Sequence, residues 1–169
     1  MPEFYFQKPF PLGPDSTVYR CLSKDFVSEE TAGAYKFLKV APEGLRLLAK
    51  QAFVDVSFYL RTAHLRKIAL ILEDPESSEN DRFVAVTLLK NAVEAGKGLL
   101  PSCQDTGTAL VFAQKGHLVL TDGQDEKFIA QGIFDTYQEK NLRYSQLAPL
   151  SMFEEKNTGT NLPAQIEIY

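Results

Sequence analysis

Pro42-Glu43-Gly44-Leu45-Arg46-Leu47-Leu48-Ala49-Lys50-Gln51-Ala52-Phe53-Val54-Asp55-Val56-Ser57-Phe58-Tyr59-Leu60 is the stretch from which the fold reads most directly. Leu45, Leu48, Ala49, Ala52, Phe53, Val56 and Leu60 recur at spacings of three and four, the period of one helix face. Pro42 takes a first-turn position, where its missing N–H costs nothing, and Glu43 beside it complements the positive end of the helix dipole. A long amphipathic helix therefore starts here and needs another element to cover its apolar side.

Upstream, residues 1–41 read as an extended, turn-rich lead-in, because prolines at 2, 9, 11 and 14 forbid a long helix. Its aromatics Phe4, Tyr5, Phe6 and Phe10 are expected to lie against a core. Downstream, a shorter helix is expected over residues 63–72, stopping at Asp74-Pro75. Ser78 with Asp81 three residues on forms a capping box. It opens a helix whose apolar side carries Phe83, Val84, Leu88, Ala92 and Ala95, with Gly96 and Gly98 at its end. Residues 108–113 and 117–120 read as short strands around a Gln114-Lys115-Gly116 turn. A further helix near residues 124–140 places Phe128, Ile129, Ile133 and Tyr137 at helical spacing. Residues 141–163 look irregular, and residues 164–169 alternate in polarity as a strand does. The fold class is α+β: helix-rich in the first hundred residues, with a few short strands after Cys103.

Length and composition bound the rest. A chain of 169 residues fits a single domain or a fragment of one. With 44% hydrophobic and 24% charged residues it can build a core. A net charge of −4 and a pI near 5.3 argue against nucleic acid as the main partner, since phosphate binding draws on clustered Lys and Arg. No apolar run is long enough to span a membrane, and the first residues lack the basic and apolar regions of a signal peptide, so a cytoplasmic location is expected. Cys21 and Cys103 make no disulfide framework and read as reduced thiols. The last strand closes the sequence on Ile166, Ile168 and Tyr169 with no polar tail, and its edge needs a partner, so the chain is expected to be part of a longer polypeptide.

Chemistry concentrates in Leu100-Pro101-Ser102-Cys103-Gln104-Asp105-Thr106-Gly107-Thr108, a loop between a helix end and a strand. It sets a thiol, an amide, a carboxylate and hydroxyls side by side. Cys103 admits three readings. It can be a small buried hydrophobe, a catalytic thiolate paired with His64 or His117, or a metal ligand whose companions come from elsewhere, since the sequence has no C-x-x-C. Asp105 is either a proton-transfer group or a turn cap. Arg143, just beyond the fourth helix, is either an anion binder or an exposed cation facing a helix C-terminus.

The stretch from Pro101 through Ala109 resembles the cluster-binding motif of class I, iron–sulfur-dependent fumarases. Further stretches fit the same family in order: Lys39-Val40-Ala41-Pro42-Glu43, Ala52-Phe53-Val54-Asp55-Val56-Ser57-Phe58, Leu60-Arg61 with His64, and Ser78-Glu79-Asn80-Asp81. Asn141-Leu142-Arg143-Tyr144-Ser145-Gln146 and Asn157-Thr158-Gly159-Thr160-Asn161-Leu162-Pro163-Ala164-Gln165-Ile166 complete the series. The resemblance implies the N-terminal part of a hydro-lyase that reversibly hydrates fumarate to L-malate at a [4Fe–4S] cluster. L-tartrate dehydratases and mesaconate hydratases are similar to it, and a non-catalytic binding or assembly fragment is the alternative from another class. By the resemblance, Cys103 matches the first of three cysteine ligands, Gln104, Asp105 and Arg143 match substrate-binding positions, and Asp105 is the catalytic candidate. Cys21 falls outside every matching motif. The implied partners are a small dicarboxylate and, in the complete protein, a second copy in a homodimer. The chain taken alone is expected to be inactive, because it carries one of the three cluster ligands. Residues 157–161 read as a turn, with Thr158 and Thr160 as minor candidates, and Asp55, Arg61 and His64 as a structural polar network.

Overall fold

The computed structural model describes residues 2–8, 11, 13–14, 18–102 and 107–169. The opening stretch forms α1 (Pro42–Phe58), with Pro42 in the first turn and Glu43 at the dipole's positive end, as the sequence indicates. Its covering partner is α4 (Asp125–Glu139), 15 residues long. The two touch so closely because Gly132 lacks a side chain: a Cβ there would collide with the Arg46 carbonyl, the Ala49 side chain and the Lys50 nitrogen. Thr136, fully buried one turn on, donates its hydroxyl to Lys50 O and Gly132 O, both at 3.0 Å. Arg46–Asp135 and Lys50–Glu139 ion pairs flank the seam.

This close approach rotates α1 from the face its hydrophobic period suggests. Ala49 is buried and Leu45 and Phe53 pack on the core, but Leu48 and Val56 are exposed. The core is completed by Ile129, Ile133, Tyr137, Leu142 and Ala109. A two-stranded sheet lies against it: β3 (Leu110–Ala113) runs parallel to β7 (Gln165–Ile168), with Val111 opposite Ile166. Alternation sends Val111, Ile166 and Ile168 to the core side and leaves Leu110 and Phe112 exposed.

The second half of the lead-in is a hairpin that the sequence reading did not separate from the extended segment. β1 (Val27–Ala32) pairs antiparallel with β2 (Tyr35–Val40) across Gly33-Ala34, where Gly33 has a φ of 61°. The expected strands around Gln114-Lys115-Gly116 exist but do not pair with each other. β4 (Val119–Leu120) adds in parallel to β2, while β3 goes to β7. The expectation that the first aromatics lie on a core is corrected: Phe4, Tyr5 and Phe6 are exposed.

α2 (Thr62–Leu70) and α3 (Glu79–Ala95) form a second, looser pair. The Ser78–Asp81 capping box is present with both of its hydrogen bonds. The buried positions of α3 are Ala85 and Ala95, however, while Phe83, Val84, Leu88 and Val93 face outward. The segment read as irregular holds two further short antiparallel strands, β5 (Leu147–Pro149) and β6 (Glu155–Asn157). The chain exposes 13118 Å². A folded monomer of 18.9 kDa exposes roughly 8,300 Å². Much of the apolar surface is therefore uncovered within these 169 residues.

Candidate functional site

Cys103, Gln104 and Asp105 lie outside the described residues, but the residues on either side of them are fixed. Ser102 is buried, and both its N–H (2.8 Å) and its hydroxyl (2.9 Å) donate to the carbonyl of Ser57 in the last turn of α1. The orphan carbonyls of a helix C-terminus need donors, and Ser102 supplies two to one of them. On the far side, Gly107 O accepts from the Asn161 side-chain amide at 3.4 Å. Ala109, two residues on, is already core.

Arg143 is exposed between two anchored neighbours. Leu142 is buried, and its N–H reaches back to Tyr137 O at 3.1 Å. The left-handed φ of 50° at Asn141 makes this tight exit from α4 possible. Tyr144 stacks on Tyr137 with ring centroids 6.2 Å apart. Burial pushes the Tyr137 phenol above its ordinary pKa.

Residues 157–161 do form the expected turn: Asn157 Oδ1 accepts from Gly159 N–H at 2.8 Å, with Gly159 at a φ of 67°. The same residues also clasp the Arg143 segment, which the sequence reading did not anticipate. Asn157 donates its amide to Tyr144 O at 3.0 Å, and Thr158 N–H donates to Gln146 O at 2.9 Å. Asn161, with 0% exposure and a φ of 56°, accepts from both Ser145 N–H (2.9 Å) and Gln146 N–H (3.0 Å) through Oδ1. Thr160 Oγ1 accepts from Leu162 N–H, a local turn role. Ser145 Oγ is buried and has no hydrogen-bond partner among the described residues.

The polar network expected around Asp55 takes a different form. Asp55 accepts from Arg20 at 2.7 Å and from Gln51 at 2.9 Å. Arg61 and His64 are exposed and line the same open cleft. Cys21 is exposed, with Sγ 3.7 Å from Ser23 O. Among the described residues, no group of three His, Cys, Asp or Glu side chains could hold a metal ion, and no helix is long and apolar enough to cross a membrane.

Ser102 and Gly107, on either side of residues 103–106, are both hydrogen-bonded, and Asn161 ties Gly107 to the Arg143 segment. Residues 46–169 match the family described as Fumarate hydratase (Fumerase), and the chain belongs to that family. It is similar to the fumarate hydratase class I, aerobic, of Escherichia coli strain K12, at 55% identity over 166 residues. That alignment covers 98% of this chain and 30% of the relative. The anaerobic class I enzyme of the same strain is 54% identical over the same share. Fumarate hydratase 1, mitochondrial, of Leishmania major is 51% identical over 155 residues, covering 90% of this chain and 28% of the relative. The chain thus spans about 30% of the length of the curated relatives it matches first.

Proposed function

We propose that this chain is part of a class I hydro-lyase that reversibly hydrates fumarate to L-malate, and that Cys103, Gln104, Asp105 and Arg143 are its contribution to the active site. The observation that carries the reading is identity of more than half over 98% of the chain to two class I fumarate hydratases. The tie between Arg143's segment and the residue after the Cys103 loop supports it, because a substrate held at both needs them at a fixed separation.

The donor chemistry fits an iron–sulfur cluster only as a partial set. The sequence has two cysteines, and the described one is exposed and outside the matching motifs. Cys103 would give one thiolate, and the remaining ligands would come from outside these 169 residues. When bound, the cluster supplies a Lewis-acidic iron for a hydroxyl that is otherwise a poor leaving group.

The chain's own residues contribute to the rest of the chemistry. Arg143 offers paired N–H donors to one substrate carboxylate. In the dehydration direction, the C–H beside that carboxylate loses its proton and negative charge grows on the carboxylate oxygens. A fixed guanidinium stabilises that charge. The Gln104 amide donates to carboxylate oxygen, and Asp105 takes the proton or orients the group that does.

The test uses the polypeptide carrying this sequence at the length of its relatives, prepared anaerobically and assayed with fumarate, L-tartrate and mesaconate. Fumarate is expected to give the highest kcat/KM, and Arg143→Lys to lower it about 10²-fold at unchanged iron content. An iron-loaded protein that prefers tartrate, or that hydrates none of the three, contradicts the reading. A homodimer in the complete protein belongs to the same proposal and is read by its mass in solution.

A further inference from the structure

We propose that α3 is the central helix of a larger core, covered on opposite sides by the remainder of the same polypeptide; the inference rests on the reading that this chain is part of a longer hydro-lyase. Between Phe83 and Ala95 the helix has nine apolar residues out of thirteen and two charges, Lys90 and Glu94. Those two stand one turn apart and share a single narrow strip. A helix that covers a core with one face carries polar residues on the other, whereas a helix that is apolar nearly all round is an interior one.

Within these 169 residues α3 is not interior. Ala85 and Ala95 are its buried positions. Phe83, Val84, Leu88 and Val93 are exposed, and so are Leu99 and Leu100 just past its end. Among the described residues α2 is its main packing partner, and it leaves these side chains open. Val84 and Val93 are nine residues apart, which at about 3.6 residues per turn sets them on opposite sides of the axis.

Exposed apolar residues on two sides identify the occupant. A second copy related by a two-fold axis presents one patch to the same patch, so it closes one side of the helix and leaves the other wet. The remainder of a polypeptide can pack on a helix from several directions, as α2 already does from one. More than two thirds of each class I relative lies outside its match to this chain, which is ample length to surround a helix. The covering elements are apolar where they meet Val84, Leu88 and Val93, and the Lys90–Glu94 strip is the side left to water.

The experiment is hydroxyl-radical footprinting of the full-length polypeptide, read by mass spectrometry. Oxidation rates of Phe83, Val84, Leu88 and Val93 are compared with those of the same peptides free in solution. Ile133, which has no exposed surface, is the internal standard for a buried side chain. Protection equal to that of Ile133 is expected at all four positions. Free-peptide rates at all four, or protection at Val84 or Val93 alone, would overturn the inference. In a second arm, Val84→Asp and Val93→Asp should each lower the melting temperature by about 5 °C or more at unchanged mass in solution. Lys90→Gln should leave it within about 1 °C. A variant that dissociates to single folded chains at the wild-type melting temperature would assign the face to a second copy and overturn the inference. If the aspartate variants do not fold, the wild-type footprint decides. Full protection in a protein that does not hydrate fumarate supports this placement of α3 and contradicts the function proposed above; hydration with an unprotected α3 does the reverse.

Discussion

The two helix pairs of this chain solve the same packing problem in opposite ways. In α1 and α4, glycine and small side chains bring the backbones together, Ile133 has no exposed surface, and a hydroxyl bonds across the seam. In α2 and α3, the inward positions Ile68, Ala85 and Ala95 are small in number, and Phe83 and Val93 remain 69% and 66% exposed. The closed pair is also the one that carries the candidate site. Ser57 at its edge holds Ser102, and Tyr137 supports both Leu142 and Tyr144. Rigid support lies where groups must be held to a fraction of an ångström. The open pair presents apolar surface that a longer polypeptide can cover.

The contrast breaks most sharply at Gly132. A Cβ there meets main-chain atoms of α1, which cannot swing aside as a side chain can. Gly132→Ala should therefore destabilise the chain by more than about 3 kcal/mol in denaturant unfolding. A loss below about 1 kcal/mol would mean that the helices do not touch as described.

A smaller effect is expected at the start of α3. Ser78→Ala removes the cap bond to Asp81 N–H and should cost about 1 kcal/mol. The pH dependence has a definite sign. Bonds from the Ser78 hydroxyl and N–H hold the Asp81 carboxyl below its ordinary pKa. The stabilisation is thus fully present above the unfolded value and is lost as pH falls through the lower folded value. Amide exchange in the first turn of α3 should accelerate over that acid range in wild type, and Ser78→Ala, which keeps only the N–H bond, should weaken the dependence.

The least effect belongs to the open face. Phe83→Ala should shift stability of the 169-residue chain by no more than about 0.5 kcal/mol. A loss above about 2 kcal/mol would show that α3 packs as tightly as α4, and the comparison would collapse.

Much of this was legible in the sequence, for identifiable reasons. Pro42, the Ser78–Asp81 box and the apolar period of α4 act locally, and each element appears close to its expected bounds. The rotation of α1 away from Leu48 and Val56 was not legible, because it depends on a glycine 86 residues from Arg46, in another helix. The pairing of β3 with β7, and of β4 with β2, is likewise set by tertiary closure, since the strand periods alone do not name partners. For α3, periodicity marked an apolar side that the chain leaves uncovered, and hydrophobicity alone cannot say what will cover it. At the candidate site, Arg143 could be singled out by motif. The role of Asn161 could not: an Asn-Thr-Gly-Thr-Asn stretch reads as a turn, and nothing local marks its last residue as buried.

The central claim is that the sulfur of residue 103, and not that of residue 21, binds the iron–sulfur cluster. Iron and acid-labile sulfide should be counted in the full-length polypeptide purified anaerobically as wild type, Cys21→Ser and Cys103→Ser. The account requires wild-type cluster content in Cys21→Ser and loss of cluster with loss of fumarate hydration in Cys103→Ser. Full cluster content in Cys103→Ser would contradict it.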